Sequence, residues 1–307
     1  MNLEEYLETL ADSSSKLKIA DLQRLSDPSP EGVEQIAACW ADVNVRRRRR
    51  ILQELIDLAE DTVELDFDTV FRHALKDEDA AARLTAVRGL WEYESPDLID
   101  DLTALAETDG DAAVRAEAAL ALGRFVLLFE TGRLRERHFE RAADVLRRVV
   151  ENAGEIEEVR VRAIEAIGPH EADWVRQAVT QAYESGSHRL KVSAVNAMGR
   201  SAEPRWLPLL KRELASDEAE LRYEAAVASG SLADEAAVPS LVLLVADPDD
   251  EVRAAAIGAL GEIGGEAARR ALDDLIDEPS GEARDAAVAA LAQIDADEDP
   301  LAFQLGN

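Results

Sequence analysis

The residues with the most chemistry to offer are cations set at a fixed interval. Arg284, Arg253, Arg222, Lys191 and Arg160 succeed one another in steps of 31 residues; Arg115 lies 45 residues before Arg160, and Arg83 another 32 before that. A row of guanidinium groups can grip phosphates, or it can make bidentate hydrogen bonds to carboxylates, whose two oxygens match the guanidinium fork. The neighbouring residues favour the carboxylate reading. Asp77 and Asp79 precede Arg83, Asp109 and Asp111 precede Arg115, and Asp247 and Asp249 precede Arg253. A cation in the first turn of a helix opposes the helix dipole at a cost of up to ~1 kcal/mol, so a compensating carboxylate is expected in the acidic turn just before it. Lys191 reads as the exception, because the turn from Ser185 to Leu190 holds no carboxylate.

Other reactive groups are sparse. His73, His138, His170 and His188 are the four histidines, and none stands in a zinc-binding HExxH arrangement. His170-Glu171 is a single His-Glu pair, placed in a turn by Pro169. The lone Cys39 excludes an internal disulfide or a cysteine-based zinc site, and in the run IAACW it reads as a small buried residue. Gly261, Gly264 and Gly265 read as helix ends rather than as a phosphate-cradling loop. No catalytic residue, cofactor or metal site is assigned, and the expectation is a protein that is not an enzyme.

The elements that position the cations are helix pairs. In the stretch LVLLVADPDDEVRAAAIGALGEIGG a first helix ends near Ala246, Asp247 to Asp250 form a turn broken by Pro248, and a second helix starts near Glu251. Val252, Ala256, Leu260 and Ile263 recur at helical spacing and face inward. The apolar slots travel with the cation: Ala256, Ile257, Ala259 and Leu260 become Ala287, Val288, Ala290 and Leu291 downstream, and Ala194, Val195, Ala197 and Met198 upstream. A glycine read as the closing cap of each second helix recurs at Gly123, Gly168, Gly199 and Gly230. A constant period of this length marks a solenoid, in which each repeat buries its apolar face only against its neighbours.

The run DPDDEVRAAAIGALGEIG at 247–264 and its copies, from about Asp77 to Ile294, resemble HEAT repeats, in particular the short repeats of phycobilisome-lyase-type proteins. The resemblance implies an all-α fold, an α-α superhelix of antiparallel helix pairs, whose second helices line a concave face and which serves as a protein-binding scaffold. It does not imply an enzyme. An accessory or lyase-like enzyme acting on a cofactor-bearing protein is the alternative.

Composition narrows the partner. The net charge is −30, from 64 acidic and 34 basic residues, and Glu213 to Asn307 alone carries 23 acids against 5 bases. Such a field repels nucleic acid and anionic membranes, which leaves another protein as the expected partner. The acidic N-terminus MNLEEYLETL has no basic region followed by an apolar core, and no long uncharged apolar run exists. A cytoplasmic, monomeric protein is expected.

Along the chain, residues 1–45 read as a capping region, 46–294 as the repeat solenoid and 295–307 as an acidic tail. Arg46 to Arg50 opens a helix, and five successive residues cover every side of it, so the run reads as part of the cation ladder plus a solvated face. Trp91 occupies the glycine slot of its repeat. Residues 124–148 break the period with a long helix, a turn at Thr131–Gly132 and a second long helix rich in arginine. The candidate protein-binding positions are the non-core slots of the second helices: Arg162 and Glu165, then Asn196 and Arg200 with the nearby Trp206, then Tyr223 and Glu224. Arginine, tyrosine and tryptophan there are the residue types that dominate binding energy at interfaces.

Overall fold

The computed structural model describes residues 3–276 and 281–298. Among them there is no strand. The helices in order are α1 (Leu3–Ala11), α2 (Pro30–Trp40), α3 (Val45–Asp61), α4 (Asp68–Ala74), α5 (Ala80–Gly89), α6 (Leu98–Thr108), α7 (Ala112–Glu130), α8 (Glu136–Glu151), α9 (Glu157–Ile167), α10 (Asp173–Glu184), α11 (His188–Ser201), α12 (Leu207–Glu213), α13 (Ala219–Leu232), α14 (Val238–Leu244), α15 (Asp250–Ile263), α16 (Gly265–Ile276) and α17 (Glu282–Glu298). They form two compact units, Met1–Ala163 and Ile164–Asn307.

Each unit stacks its helices in two layers. In the first, α2 packs on α4 and α6 on α8, while α3, α5 and α7 pack in succession behind them. In the second, α11, α13, α15 and α17 form the continuous layer, and α10, α12, α14 and α16 each pair with the helix that follows. The helix starts are set by the acidic turns. Asp79, Asp111 and Asp249 each accept a hydrogen bond from a backbone N–H of the helix they precede, at 3.0, 2.8 and 2.9 Å, as N-caps do.

Gly168 directly follows the last residue of α9, but Gly123, Gly199 and Gly230 do not close their helices, contrary to the sequence reading. Gly199, Gly230 and Gly261 lie inside α11, α13 and α15 and are buried. A Cβ at Gly199 would sit 2.6 Å from the Cα of Ala228, one at Gly261 3.1 Å from the Cα of Ala290, and one at Gly168 2.9 Å from the Cα of Ala197. Each glycine therefore faces the alanine 29 residues ahead, and the pair is where two second helices approach backbone to backbone. Trp91 shows the same slot abandoned: α5 stops at Gly89, and Trp91 is 60% exposed.

Ala202 (φ 50°) and Ala233 (φ 52°) close α11 and α13 in the left-handed region, and Gly264 (φ 65°) closes α15, as the sequence leads one to expect. A residue with a Cβ is disfavoured there by roughly 1–2 kcal/mol. Ala233→Gly is therefore expected to stabilise the protein by about 1 kcal/mol, read as a higher melting temperature; an unchanged or lower value would show that the strain is absent.

Other boundaries shift as well. The cap boundary at residue 45 falls at the start of α3, and α2 already packs on α4 like later first helices. The tail begins later than position 295, since α17 continues to Glu298 and Asp295 is 2.7 Å from Arg269; residues 299–307 lie outside the described set. Cys39 is half-buried, with Sγ 3.2 Å from the carbonyl oxygen of Leu7.

Candidate protein-binding site

The cations are engaged, but with a different partner from the one the sequence suggests. Arg83 forms a bidentate pair with Asp109, Nε and Nη2 each 2.7 Å from a carboxylate oxygen, while its Nη1 donates to the Asp77 carbonyl at 2.7 Å. Arg115 pairs with Glu155 and donates to the Asp109 carbonyl. Arg222 pairs with Asp247 at 2.7 and 2.8 Å and donates to the Ser216 carbonyl. Each arginine thus holds the backbone of its own turn and the carboxylate of the next turn. The acidic turns divide the labour: the first carboxylate accepts the arginine from the previous repeat, and the second caps the helix.

This forward direction overturns the reading of Lys191. Its Nζ lies 2.8 Å from Glu213, a buried carboxylate in the following helix, so the turn preceding it is not the relevant one. The turn ahead has Ser216 where its counterparts have Asp77, Asp109 and Asp247, which leaves no bidentate acceptor for an arginine. Arg160 donates to the Val150 carbonyl at 3.3 Å. Arg253 donates to the Asp247 carbonyl and pairs with Asp250 on its own helix. Arg284 is half-buried in α17.

Arg46–Arg50 is largely absorbed into the fold. Arg48 is 4% exposed, with Nε 3.1 Å from Asp77, and extends the ladder by one step. Arg49 is bidentate to Asp79, Arg50 pairs with Glu54, and Arg47 donates to main-chain carbonyls near the end of α1. The long helix α8 is laced to α6, Arg148 pairing with Glu107 at 2.6 Å and Arg141 with Asp100, while Arg147 pairs with Glu151 within α8 at 2.8 Å.

The ladder makes a pH prediction. The Arg222 hydrogen bonds hold the Asp247 carboxyl below its ordinary value near 3.8. Burial pushes Asp109 up, but the bonds from Arg83 and from the Asp111 N–H outweigh it and the net shift is downward. A carboxylate depressed in the folded state contributes stability that is complete above its unfolded value and lost as pH falls through the folded one. The melting temperature is therefore expected to fall below pH ~4. Asp247→Asn should start lower and show a shallower acid slope; an identical slope would remove Asp247 as a cause.

In the second unit, the non-core face of the second helices is built from α11 and α13, with the last residues of α9 from Ile164 onward. Arg200 is exposed and donates Nη1 to the Glu165 carbonyl at 3.2 Å. The protein packed around it pushes its pKa down, and the charge of Glu165 opposes that shift. Asn196 donates to Glu224 at 3.4 Å. Burial raises the Glu224 pKa, the Asn196 bond lowers it, and the charges of Glu165 and Glu220 raise it further. Tyr223 and Val227, one turn apart on α13, are each 38% exposed. Val227 escapes the sequence reading because a valine in an apolar helix looks like core; its offset from Arg222 equals that of Asn196 from Lys191, which is the available signal.

Trp206 leaves the candidate set. It is 5% exposed, and its indole N–H donates to Ser201 Oγ at 3.0 Å, so it packs as part of the core. Arg162 belongs to the first unit and pairs with Glu158 one turn back on its own helix at 3.2 Å. Among the described residues no group of three or more His, Cys, Asp or Glu is placed to hold a metal ion, and no helix is long and apolar enough to cross a membrane.

A family model described as HEAT repeats matches residues 69–156 and 208–292, more than half of the chain. The chain belongs to the HEAT-repeat family. Two solved structures of yeast importin-beta agree on the fold. Yeast importin-beta (Kap95p) is 13% identical with a TM-score of 0.57, covering 95% of this chain and 46% of that one. The same protein with RanGDP gives 14% identity and a TM-score of 0.54 over the same shares of the two chains. The complex of CpcE and CpcF of phycocyanin lyase from Nostoc is 20% identical with a TM-score of 0.49, covering 75% of this chain and 94% of that one. No curated protein matches the sequence. As a HEAT-repeat chain, it carries its short period in the glycine–alanine contacts and the forward arginine pairs.

Proposed function

We propose that this HEAT-repeat chain is a noncatalytic protein-binding scaffold, and that the second-helix face of its second unit holds the partner. The observation that carries the proposal is the side-chain set on α11 and α13. Tyr223 and Val227 are apolar and exposed, and Arg200 and Asn196 lie across from them on the preceding second helix. Such a mixture of an aromatic, an arginine and an amide is typical of interface hot spots. Glu224 adds support. Its pKa is raised by burial, so keeping it ionised at neutral pH costs the fold stability, and carboxylates of that kind concentrate at functional positions. The likeness in fold to yeast importin-beta, seen with RanGDP, adds a member of the fold with a protein partner.

The test is affinity capture from the source cell with the full chain and with a variant carrying Arg200→Ala and Tyr223→Ala. The reading expects a discrete partner set lost by the variant while its helical content and melting temperature stay close to those of the parent. Capture that the variant leaves unaltered would remove this face.

A further inference from the structure

In the first-helix layer of the second unit, one helix differs from its neighbours. The helices α12, α14 and α16 follow one another at the repeat interval, so residues 31 apart hold equivalent positions. Leu210, Leu241 and Leu272 are each fully buried. The two residues after each of them are exposed. These are Lys211 and Arg212 on α12 and Asp273 and Asp274 on α16, but Val242 and Leu243 on α14. Leu243 is 77% exposed and Val242 36%.

The helix α14 is therefore apolar all round. Val238, Leu241 and Leu244 are buried, while Pro239, Val242 and Leu243, at i, i+3 and i+4, are exposed on the outer side. No charged residue occurs from Val238 to Ala246. A helix apolar on every side belongs inside a larger body. At 7 residues, α14 is too short to span a bilayer, so the missing cover is protein. Beside it a groove of about 490 Å³ opens between α12 and α14, with Leu214, Ala215, Leu243 and Leu244 on its walls together with Lys211 and Asp217.

The charges around α14 indicate what that cover is. Lys211 and Asp273 hold the Val242 position one repeat before and one repeat after, and Arg212 and Asp274 stand in the same relation to Leu243. Cations thus border the apolar strip on one side and carboxylates on the other. Arg270, an exposed cation on α16, is paired with Glu266 one turn back. A two-fold axis through α14 exchanges the two sides. A second copy turned about that axis lays its carboxylates over the cations of the first and its cations over the carboxylates of the first. Val242 and Leu243 then meet their counterparts at the centre. Self-complementarity of this kind is what an isologous interface requires. Two chains of net charge −30 repel each other, but at physiological salt the Debye length is about 8 Å, so the charges that matter are those near the contact, and α14 adds none.

We propose that α14 is the centre of a two-fold interface between two copies of this chain, in place of the monomer expected from the sequence. The interface lies in the first-helix layer and is independent of the partner face on α11 and α13.

The experiment is light scattering on the full chain across a concentration series. The parent mass is expected to rise from the 33.5 kDa of one chain toward twice that value. Leu243→Arg supplies the residue type that α12 carries at this position, so the melting temperature should be kept. Dimerisation should weaken about tenfold or more, the effect of losing one buried leucine side chain. Arg212 also bonds to Tyr183 on α10, so Lys211 and Asp273 are the charges to reverse. Lys211→Glu and Asp273→Lys should each weaken self-association, because each sets like charges together at both ends of the interface. Mixed in equal amounts, these two variants should recover the dimer, since the two altered side chains meet at one end and the two parental ones at the other. A chain that stays monomeric at the highest attainable concentration, a dimer that Leu243→Arg leaves intact, or a mixture that fails to recover the dimer overturns the proposal. A monomer that instead captures a different protein through Leu243 overturns it as well.

Discussion

Arg222→Ala is expected to lower the stability of the protein by about 3 kcal/mol, the range found when one member of a buried ion pair is removed. Both partners are well shielded: the Arg222 and Asp247 side chains are 13% and 5% exposed. Truncating the arginine strands a carboxylate that has given up its water, and also frees the Ser216 carbonyl. The double variant Arg222→Ala with Asp247→Ala should lose less than the sum of the two single changes, because it leaves no uncompensated charge. Arg253→Ala offers the contrast. Its ion pair is with Asp250, 77% exposed and on the same helix, so a loss of no more than ~1 kcal/mol is expected. Equal losses at the two positions, or strict additivity in the Arg222 cycle, would show that the forward pair is not what matters.

The second large effect separates two glycines that look alike in the sequence. Gly199→Ala places a methyl 2.6 Å from the Cα of Ala228 in the next second helix. Backbone cannot yield as a side-chain tip can, so α11 and α13 must separate, at a cost of ~1–3 kcal/mol that exceeds the gain in helix propensity. Gly258 lies inside α15, and a methyl added there would meet nothing within 4 Å, so Gly258→Ala should raise stability by about 0.5–1 kcal/mol. Denaturant unfolding of the two variants checks this. The same sign at both positions would contradict the close-contact role of Gly199.

The repeat, its helix pairs and its acidic turns are legible in the sequence because they depend on local pattern. The cation slot is legible too, but the direction of pairing is not. Arg83 has Asp77 six residues before it and Asp109 twenty-six after it, and linear spacing cannot say which carboxylate the side chain reaches. The arginine in fact uses both neighbours, taking the carbonyl of one and the carboxylate of the other. Gly199 misleads for a similar reason: a glycine near a helix end suits a left-handed cap, and only the neighbouring helix reveals that its missing side chain is what counts. Ala202 and Ala233 hide the true caps, since alanine carries no signal for a positive φ. At the candidate site, Tyr223 and Arg200 follow from the period, whereas Trp206 looks available only because its indole partner, Ser201, cannot be foreseen.

The periodic cations hold the fold together while, in the function proposed above, a partner is read by the face carrying Arg200, Tyr223 and Val227. Site-specific photocrosslinking in the source cell tests this most directly, with a photoreactive phenylalanine analogue placed at position 227 in one chain and at position 243 in another. Leu243, 77% exposed on α14, is the control outside the second-helix layer. The account predicts a discrete adduct with a different protein from position 227, absent from position 243, and lost when Arg200→Ala is added. An adduct with a different protein from position 243 alone, or one from position 227 that Arg200→Ala leaves intact, would contradict it.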